Sequence, residues 1–538
     1  MSGGRKAQAE SIAATAIGSG YPRIATMARP HGGPTSVRPP RPPGADLQLP
    51  ISIDPSSTST LQSQIVEQMR ALIEQGGLAP GVPVPTTRDL GKQMGVSRNT
   101  ITSAYETLIG QGYLYTERAV GTFVCKTLPD AFMRPHDTGL PARTGSPYRA
   151  INLPLAYTGR GPPGLHRPTP GGITVDFVFG RSSARSFPEK AWRRILTDCL
   201  GGASERMSEY SHPGGIAELR QLITSHLGPA RGMVVSAEQV LLVAGFQQGI
   251  NLAGHLFVGT NTPVVMEAPT YRGAAFLFES YGSRIIAVPV DQHGIDVGRL
   301  PAARVKLVYV TPSHQFPTGV TMPLHRRLAL LEWAAKAGAY ILEVDYDADF
   351  RYEGSPLPSL QSLDRNGCVI YLNSFSRSIG PGLRIGYVVV PRDLIRPALT
   401  IKSLMDNGLP WLEQAALAQF MREGSWETHV RKLRHTYELR RNALLEALRA
   451  ELPGAVVSGA EAGTHVYLTL PPGAPRAALV QQACRALGVG VYPLADSPAW
   501  LYEHLADHER GLLIGYTHLS ETQIRHGIAV LGTALAAR

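Results

Sequence analysis

The sequence predicts a multidomain protein: a small N-terminal winged helix-turn-helix domain of the α+β class, then a large α/β domain with a smaller α+β C-terminal lobe. With 538 residues, the chain is long enough for several domains of about 100 to 200 residues each. Residues 49–125 combine amphipathic helical patterns with two short β-like runs, and residues 173–538 alternate apolar runs with helical stretches. Such continuous apolar runs between helices are typical of a mostly parallel sheet covered on both faces.

The composition excludes several classes of protein. Hydrophobic residues make up 43% of the chain and charged residues 17%, so neither a wholly disordered chain nor a membrane protein fits. No stretch approaches about 18 uninterrupted apolar residues, and the signal-like stretch 11–17 is short and weakly apolar. The cysteines form no CxxC motif and no Cys/His cluster, being far apart at Cys125, Cys199, Cys368 and Cys484. We therefore expect a cytoplasmic protein without disulfides and without a metal site.

The net charge of +10 permits nucleic-acid binding without proving it. Residues 1–48 and 126–172 each carry six basic and two acidic residues, whereas residues 49–125 carry five basic and six acidic residues. Both basic segments are rich in Pro and Gly and show no helical or alternating apolar period. We predict a disordered basic tail at 1–48 and a flexible linker at 126–172. A solvated spacer is the favoured interpretation of each, and weak support of DNA binding through cations is the alternative.

The first helix of the small domain is predicted by apolar residues at three- and four-residue spacing. They are Leu61, Ile65, Val66, Met69 and Leu72. This helix should end near the glycines at 76–77, and a Pro/Gly turn follows at 79–85. Thr86 and Asp89 then have the spacing of a capping box, which begins a second helix through Met94 that Gly95 ends.

Ser97 is a natural N-cap for a third helix. Its inner face would be Ile101, Ala104, Tyr105 and Leu108. Two β-like runs at 113–116 and 121–125 complete a winged helix-turn-helix. In this motif the N-terminal residues of the second motif helix meet base edges and phosphates, and the wing approaches the minor groove. The candidate DNA-contacting residues are Arg88, Ser97, Arg98, Asn99, Thr100, Ser103, Gly121 and Thr122.

The run LeuAlaProGlyValProValProThrThrArgAspLeuGlyLysGlnMetGlyValSerArgAsnThrIle spans 78–101 and is followed by AlaTyrGluThrLeu, GlnGlyTyrLeu and GlyThrPheVal. These motifs resemble the DNA-binding domain of GntR-type bacterial repressors over its full length. The alternative, a small helical domain with ordinary surface arginines, fits the helical pattern but leaves this dense and ordered match unexplained.

Eight further motifs follow one another in the large domain. They are PheProGluLysAlaTrp (187–192), TyrSerHisProGlyGly with GluLeuArg (210–220), AlaGlyPheGlnGlnGly (244–249), GluAlaProThrTyrArgGly (267–273), ThrProSerHisGlnPheProThrGly (311–319), GluValAspTyrAspAlaAspPhe (343–350), SerPheSerArg (374–377) and GlyProGlyLeuArgIleGlyTyr (380–387). In this order they resemble fold-type I aminotransferases, which use pyridoxal phosphate (PLP). More specifically, the whole chain resembles the MocR-type (GabR-like) regulators, which join a GntR domain to such a domain. The resemblance implies a large part that extends to about residue 420 and a small lobe over about 421–538.

The resemblance also implies cofactor-binding residues. The segment Gly245, Phe246 and Gln247 would cradle a phosphate at a helix start. Tyr271 matches the aromatic residue that stacks on the pyridine ring, and Tyr210 the tyrosine that reaches a phosphate across a dimer interface. The remaining implied contacts are Gln315, Tyr346, Ser374, Ser376, Arg377 and Arg384, of which Arg384 offers a bidentate charge pair.

Two positions depart from the family pattern. Arg377 stands where the family has the lysine that forms the internal Schiff base, and a guanidinium with a pKa above about 12 is not nucleophilic. Val344 stands where the family has the Asp that pairs with the pyridinium nitrogen. Asp345 follows directly, but on a strand it should point to the opposite face. None of the lysines of this region stands at the Schiff-base position; they are Lys190, Lys306, Lys336, Lys402 and Lys432.

The resemblance and these departures together predict a bacterial, nucleoid-associated regulator that binds double-stranded DNA as a homodimer and has no catalytic residues. Covalent PLP is not expected, whereas non-covalent binding stays open. Arg377 either pairs with a nearby acid or binds an anionic effector. His314 and His465 are expected to be packed rather than catalytic. One alternative is a working aminotransferase, which would be yellow and whose PLP imine borohydride would reduce irreversibly. The other alternative is a dimerisation scaffold that binds no ligand.

Overall fold

The computed structural model describes residues 47–127, 169, 171–302, 304–347, 349–354, 357–502 and 506–536. The chain separates into two units at residues 149 and 150. Most of the predicted basic tail (1–48) and of the predicted linker (126–172) lies outside the described residues. Within the described residues, no helix is long and apolar enough to cross a membrane.

The first unit consists of three helices and a two-stranded antiparallel sheet among its described residues. They are α1 (Leu61–Glu74), α2 (Thr87–Met94), α3 (Arg98–Gly110), β1 (Leu114–Glu117) and β2 (Gly121–Val124). Thr86 caps α2 by accepting a hydrogen bond from the Asp89 backbone, and Gly95 ends this helix in the left-handed conformation. Ser97 caps α3 in the same way through the Thr100 backbone. The helix order, the caps and the wing agree with the sequence prediction.

The core of the first unit lies between these helices and the wing. Ile65 and Met69 of α1 pack with Leu108 of α3, and all three side chains are fully buried. The buried Tyr105 hydroxyl donates to the Pro85 carbonyl at 2.8 Å, which ties α3 to the turn before α2. This packing fixes the angle at which α3 leaves the core.

The second unit contains the following helices: α4 (Glu189–Leu200), α5 (Ser204–Met207), α6 (Ala217–Arg231), α7 (Phe246–Phe257), α8 (Arg272–Ser280), α9 (Leu324–Ala337), α10 (Leu360–Leu363), α11 (Ile395–Asp406), α12 (Trp411–Arg422), α13 (Ser425–Glu451), α14 (Ala477–Ala486) and α15 (Glu521–Ala536). Its strands are β3 (Val175–Asp176), β4 (Val240–Val243), β5 (Pro263–Ala268), β6 (Thr270–Tyr271), β7 (Arg284–Asp291), β8 (Gly294–Ile295), β9 (Leu307–Val310), β10 (Tyr340–Val344), β11 (Val369–Ser374), β12 (Gly386–Val389), β13 (Val456–Ser458), β14 (His465–Thr469), β15 (Val489–Gly490), β16 (Tyr492–Pro493), β17 (Ala499–Trp500) and β18 (Gly511–Gly515).

An eight-stranded sheet forms the centre of this unit, in the order β4-β12-β11-β10-β9-β5-β7-β8. Neighbouring strands from β11 to β7 run parallel, while β12 is antiparallel to both β4 and β11. Every residue of β4, β9, β11 and β12 is buried, as a sheet covered on both faces requires. The predicted fold class, including its mostly parallel sheet, is confirmed.

The small lobe has its own antiparallel sheet, in the order β13-β14-β18-β16. Its core joins β14 and β18 to α13, α14 and α15. The sequence prediction did not include β7, which carries Pro289 within a run of Ile and Val. Proline is unfavourable inside a central strand, and β7 has only the short β8 beyond it at the sheet edge.

Candidate functional site

The N-terminal turn of α3 presents polar side chains to solvent. Ser97, Arg98 and Asn99 are exposed there, and Arg88 is exposed in the first turn of α2. The Arg98 Nε lies 3.4 Å from the Thr87 hydroxyl, so the two helix starts are linked while the end of the guanidinium stays accessible. Arg88 and Arg98 therefore lie beside the start of α3, the part of the motif that enters the major groove of DNA.

Three predicted DNA contacts on α3 carry hydroxyl groups, namely Ser97, Thr100 and Ser103. The first two already make hydrogen bonds within the start of the helix. Ser97 Oγ accepts from the Thr100 backbone at 3.1 Å and lies 2.8 Å from the Thr100 hydroxyl. These two hydroxyls therefore fix the start of the helix. Ser103 is half-buried one turn after Asn99, on the same face of α3.

The wing is a hairpin whose tip differs from the sequence expectation. Gly121 and Thr122, expected at the tip, are the first residues of β2 and pair with Glu117 and Thr116. The turn itself is formed by residues 118–120, with Ala119 at φ 65°. The cation at the tip is thus Arg118, which the sequence reasoning missed because the hairpin register is set by pairing across the strands.

In the second unit, aromatic side chains and one arginine line a small, partly open cavity of about 20 Å³. It lies at the carboxyl ends of β9, β10 and β11, where ligands bind in open α/β sheets. We call this space the effector cavity, and its lining residues are Phe179, Phe246, Tyr271, Tyr309, Thr311, Phe316, Val344, Tyr346 and Arg377. The sequence reasoning had not named Phe179, Tyr309, Thr311 or Phe316 as ligand contacts.

Arg377 follows the end of β11 and is 9% exposed. Its guanidinium carbon lies 4.6 Å from the centre of the Phe179 ring, within the range of a cation–π contact. Among the described residues, no Asp or Glu lies within ion-pair distance of Arg377. The Asp347 carboxylate is near enough to Arg377 for the two charges to interact, but it forms no ion pair with it. A buried cation without a direct partner is costly, and an anion in this cavity would reduce that cost.

Val344 and Asp345 lie on opposite faces of the sheet edge. Val344 lines the effector cavity, whereas Asp345 forms an ion pair with the buried Arg231 and accepts a hydrogen bond from Tyr371 at 2.8 Å. Asp345 therefore has a structural role in the ion pair with Arg231, on the face of the sheet away from the cavity. The alternation along β10 predicted this direction correctly.

A second group of residues surrounds the start of α7. Gly245 precedes this helix at φ 73°, and a Cβ there would lie 2.6 Å from the Arg384 guanidinium. Arg384 is held over the glycine by a hydrogen bond of 2.7 Å to the Ala244 carbonyl. Ser374 is buried and pairs with Gly386 across the sheet, and its hydroxyl has no partner among the described residues. A helix start, a glycine and an arginine fit a phosphate group.

Other predicted cofactor contacts do not line the effector cavity. The Gln315 amide is used within its own loop, where it donates to the Pro269 and Phe316 carbonyls and accepts from Thr318. Gln247 donates to the Gly273 carbonyl. Ser376 is buried beside Arg377, and Tyr210 is 88% exposed. Gln315 therefore stabilises the cavity wall and does not contact a ligand, because its amide atoms already make hydrogen bonds within the protein.

These residues fit only part of pyridoxal phosphate. The Gly245–Arg384 group suits the phosphate and Tyr271 lines the cavity where a ring would stack. Arg377 and Val344 stand where the sequence resemblance places the lysine and the carboxylate of the catalytic chemistry. No lysine is among the described residues that line the effector cavity.

Glu267 is a buried acid at the back of the wall that the sequence reasoning did not identify. Its Oε2 accepts hydrogen bonds from the Thr311 backbone, the Thr311 hydroxyl and Gln315, while its Oε1 has no partner among the described residues. Burial raises the pKa of Glu267 to about 7, against the hydrogen bonds, which lower it. The only sequence signal was a charged residue at the end of an apolar strand.

We expect Glu267→Gln to change how the stability of the full chain depends on pH. Because the folded-state pKa is raised, the folded carboxyl stays protonated while the unfolded one ionises, so wild-type stability falls as pH rises from about 4.5 to about 7. Relative to the variant, wild type should lose about 3 kcal/mol across this range. Urea unfolding at several pH values measures the difference. The exposed Glu205→Gln is the control, and a pH-independent difference between wild type and Glu267→Gln would contradict the expectation.

Comparison with known proteins agrees with this architecture. Residues 61–124 match the family described as bacterial regulatory proteins, gntR family, and residues 182–502 match aminotransferase class I and II. The chain is 30% identical over 490 residues to the probable rhizopine catabolism regulatory protein MocR of Rhizobium meliloti, covering 90% of this chain and 96% of that protein. It is 32% identical over 477 residues to the uncharacterized HTH-type transcriptional regulator YdeL of Bacillus subtilis, covering 88% and 96%. The crystal structure of LysN, an alpha-aminoadipate aminotransferase from Thermus thermophilus, matches with a TM-score of 0.62 and 29% identity over 68% of this chain and 93% of that one.

Proposed function

The chain belongs to the MocR-type transcriptional regulators, in which a GntR helix-turn-helix domain is joined to a class I and II aminotransferase domain, and from this membership we propose its mode of action. The first unit binds double-stranded DNA through the start of α3. The second unit binds a small anionic effector in the effector cavity and performs no transamination. Arg377 is the residue that receives the anion.

The observation that carries this proposal is the state of Arg377. The guanidinium is nine-tenths buried, borders the effector cavity and has no acidic partner among the described residues. A structural arginine at this depth is normally paired, as Arg231 is with Asp345. Of the two interpretations open from the sequence, the unpaired position of Arg377 favours the anion-binding one.

The aromatic walls favour a planar effector. Tyr271 is tilted edge-on to both Phe246 and Phe316, with ring centres 5.6 Å and 6.1 Å apart. A flat ring packed against the face of Tyr271 would bury large apolar area, while Arg377 would neutralise a charge on its edge. Arg384 and Gly245 would hold a phosphate if the ligand carries one.

PLP fits this description as a ligand but not as a cofactor. When it is bound in an enzyme, PLP supplies a ring that accepts electrons from the substrate. Here Tyr271 would contact the ring, and Arg384 and Ser374 would contact the phosphate. A guanidinium is a poor base and a poor nucleophile, so Arg377 supplies neither function. Val344 presents only methyl groups to the ring.

A homodimer formed by the second unit is part of the proposal. Tyr210, Met207 and Leu404 are 88%, 60% and 85% exposed in the single chain. Large apolar side chains that stand exposed together with a family tyrosine expected at a partner's site support an interface there. Sedimentation equilibrium should give twice the chain mass, and Leu404→Arg should reduce it toward one chain.

Ligand-dependent thermal stability tests the proposal. A ligand at one hundred times its Kd should stabilise the folded chain by about 2.7 kcal/mol. We expect this shift with PLP for wild type, its loss in Arg377→Gln, and its retention in Arg392→Gln, which changes an exposed arginine. The absence of any shift with PLP, inorganic phosphate and amino acids would favour the ligand-free scaffold. Transamination together with borohydride fixation of the wild type would favour the enzyme.

A further inference from the structure

Three metal-binding side chains from distant segments meet behind the effector cavity. His314 lies in the loop after β9, Asp347 in the loop after β10, and His465 begins β14 of the small lobe. All three are at most 4% exposed. Asp347 Oδ2 lies 3.3 Å from His314 Nδ1 and 3.9 Å from His465 Nδ1. The mode of action proposed above uses none of these groups.

The outer nitrogen of each imidazole faces an atom that only accepts hydrogen bonds. His314 Nε2 lies 3.2 Å from the Gly459 carbonyl oxygen, and His465 Nε2 lies 3.2 Å from the Pro317 carbonyl oxygen. Each Nε2 therefore carries the hydrogen in the neutral ring, because a lone pair there would repel the carbonyl. The lone pairs of both rings are then on the Nδ1 atoms, which point at the Asp347 carboxylate.

With both rings neutral, no hydrogen lies between the two Nδ1 atoms and the Asp347 carboxylate. The Tyr346 hydroxyl donates to the His314 carbonyl at 2.9 Å, and its contact with His314 Nδ1 is longer, at 3.3 Å. The Thr464 backbone N–H and hydroxyl approach Asp347 at 3.1 Å each, as donors bound to the carboxylate itself. His465 Nδ1 has no hydrogen-bond partner among the described residues. Two ring lone pairs and a carboxylate oxygen thus converge without a donor between them, an arrangement that repels itself unless a cation lies at its centre.

We propose that His314 Nδ1, Asp347 Oδ2 and His465 Nδ1 bind one divalent transition-metal ion, with Zn²⁺ as the ion of choice. Two imidazoles and one carboxylate suit zinc and its neighbours rather than calcium or magnesium. The three donor atoms lie within 4.8 Å of one another, close to the spacing that bonds of about 2.0–2.2 Å to a shared ion require. The carbonyls that hold both Nε2 hydrogens are the outer contacts by which metal-bound histidines are usually oriented.

The surroundings offer the ion a path and a remaining coordination position. A cavity of about 20 Å³, large enough for one water molecule, reaches His314 and Asp347 from the other side of the wall and is also lined by Arg231, Ser313 and Arg351. The charge of Arg231 is neutralised by Asp345, which limits its repulsion of a cation. A water molecule in this cavity would complete a tetrahedral site.

The site would join the two parts of the second unit. His465 comes from the small-lobe sheet, while His314 and Asp347 come from loops at the carboxyl edge of the central sheet. Tyr346, between the two loops, has its ring stacked on His465 with centres 6.4 Å apart and also lines the effector cavity. The ion would hold this wall of the cavity and the small lobe in one fixed arrangement.

Co²⁺ titration of the chelator-treated full chain tests the proposal. We expect one Co²⁺ per chain with visible d–d absorption, displaced by Zn²⁺. Asp347→Asn and His465→Gln should each weaken Co²⁺ binding at least about tenfold. His325→Ala should leave it unchanged, since it removes an exposed imidazole whose ring lies 5.8 Å from that of His293, the pair most suited to adventitious binding. Co²⁺ binding that is lost in His325→Ala, or that persists in both cluster variants, would overturn the proposal.

A measurement on the unaltered chain covers the case in which the buried variants do not fold. X-ray absorption at the zinc edge should show two imidazole ligands and light oxygen donors, and added Zn²⁺ should raise the midpoint of thermal unfolding of the chelator-treated chain. Absence of both effects would mean that a proton shared between His314 and Asp347 fills the cluster instead, and the metal site would be rejected. This outcome can be distinguished from failure of the effector experiment, because Arg377 supplies none of the three ligand atoms, although its charge acts on Asp347 and His465.

Discussion

Replacing Arg98 with alanine is expected to weaken binding to the operator by about tenfold to a hundredfold, because one guanidinium that pairs with a base edge contributes about 1–3 kcal/mol. Arg98 is exposed in the first turn of α3, next to the Ser97 cap that fixes the direction of the helix. A change at Arg88, which is placed for the DNA backbone, should instead weaken binding to all sequences alike and reduce the dependence on salt.

Band-shift titration with the DNA upstream of the gene measures both effects. Arg449→Ala, at an exposed arginine of α13 in the second unit, removes the same charge and should leave the affinity unchanged. Circular dichroism should show that Arg98→Ala keeps its helices, since the Arg98 side chain contributes only a contact of 3.4 Å to Thr87. Equal affinity of Arg98→Ala and wild type at low salt would contradict the assignment of α3 as the reading helix.

The secondary structure of the first unit could be predicted from sequence because its signals are local. Thr86, Gly95 and Ser97 each set a helix end through contacts within a few residues. The wing tip could not be placed equally well. Whether Gly121 lies in the turn or in the strand depends on its pairing with Glu117, and register between strands is not a property of either strand alone.

In the second unit, too, local features could be predicted from the sequence, whereas contacts between distant segments could not. Motif order located Arg377, Val344 and Arg384, and strand alternation gave the direction of Asp345. The state of Arg377 could not be predicted, because the presence or absence of an acid beside it depends on loops from several parts of the chain. The convergence of His314, Asp347 and His465 was likewise hidden, since histidines this far apart have no ligand spacing to detect. The sequence argument against a metal considered cysteine patterns, and the proposed cluster contains no cysteine.

The exchange at position 377 and the exchange at position 344 should be separable by mutation. Arg377→Lys alone restores an amine that can hold PLP covalently, so we expect a yellow protein whose PLP becomes fixed by borohydride. It should not gain transamination, because Val344 still faces the ring with an apolar surface. Val344→Asp alone introduces the carboxylate but leaves Arg377, whose guanidinium is not nucleophilic and forms no Schiff base. Neither single variant should therefore be an aminotransferase.

The double variant Arg377→Lys/Val344→Asp supplies both groups on a wall that is otherwise unchanged. A carboxylate at 344 would be buried, at a position now 3% exposed, and only a positively charged ring nitrogen opposite it offsets the cost of that burial. We expect PLP to stabilise the double variant more than either single variant, and transamination above the Arg377→Lys level by about a hundredfold. Single-turnover assays with amino-acid donors measure it. Transamination by Arg377→Lys alone would show that position 344 does not control the reaction, and the loss of activity would then rest on the lysine alone.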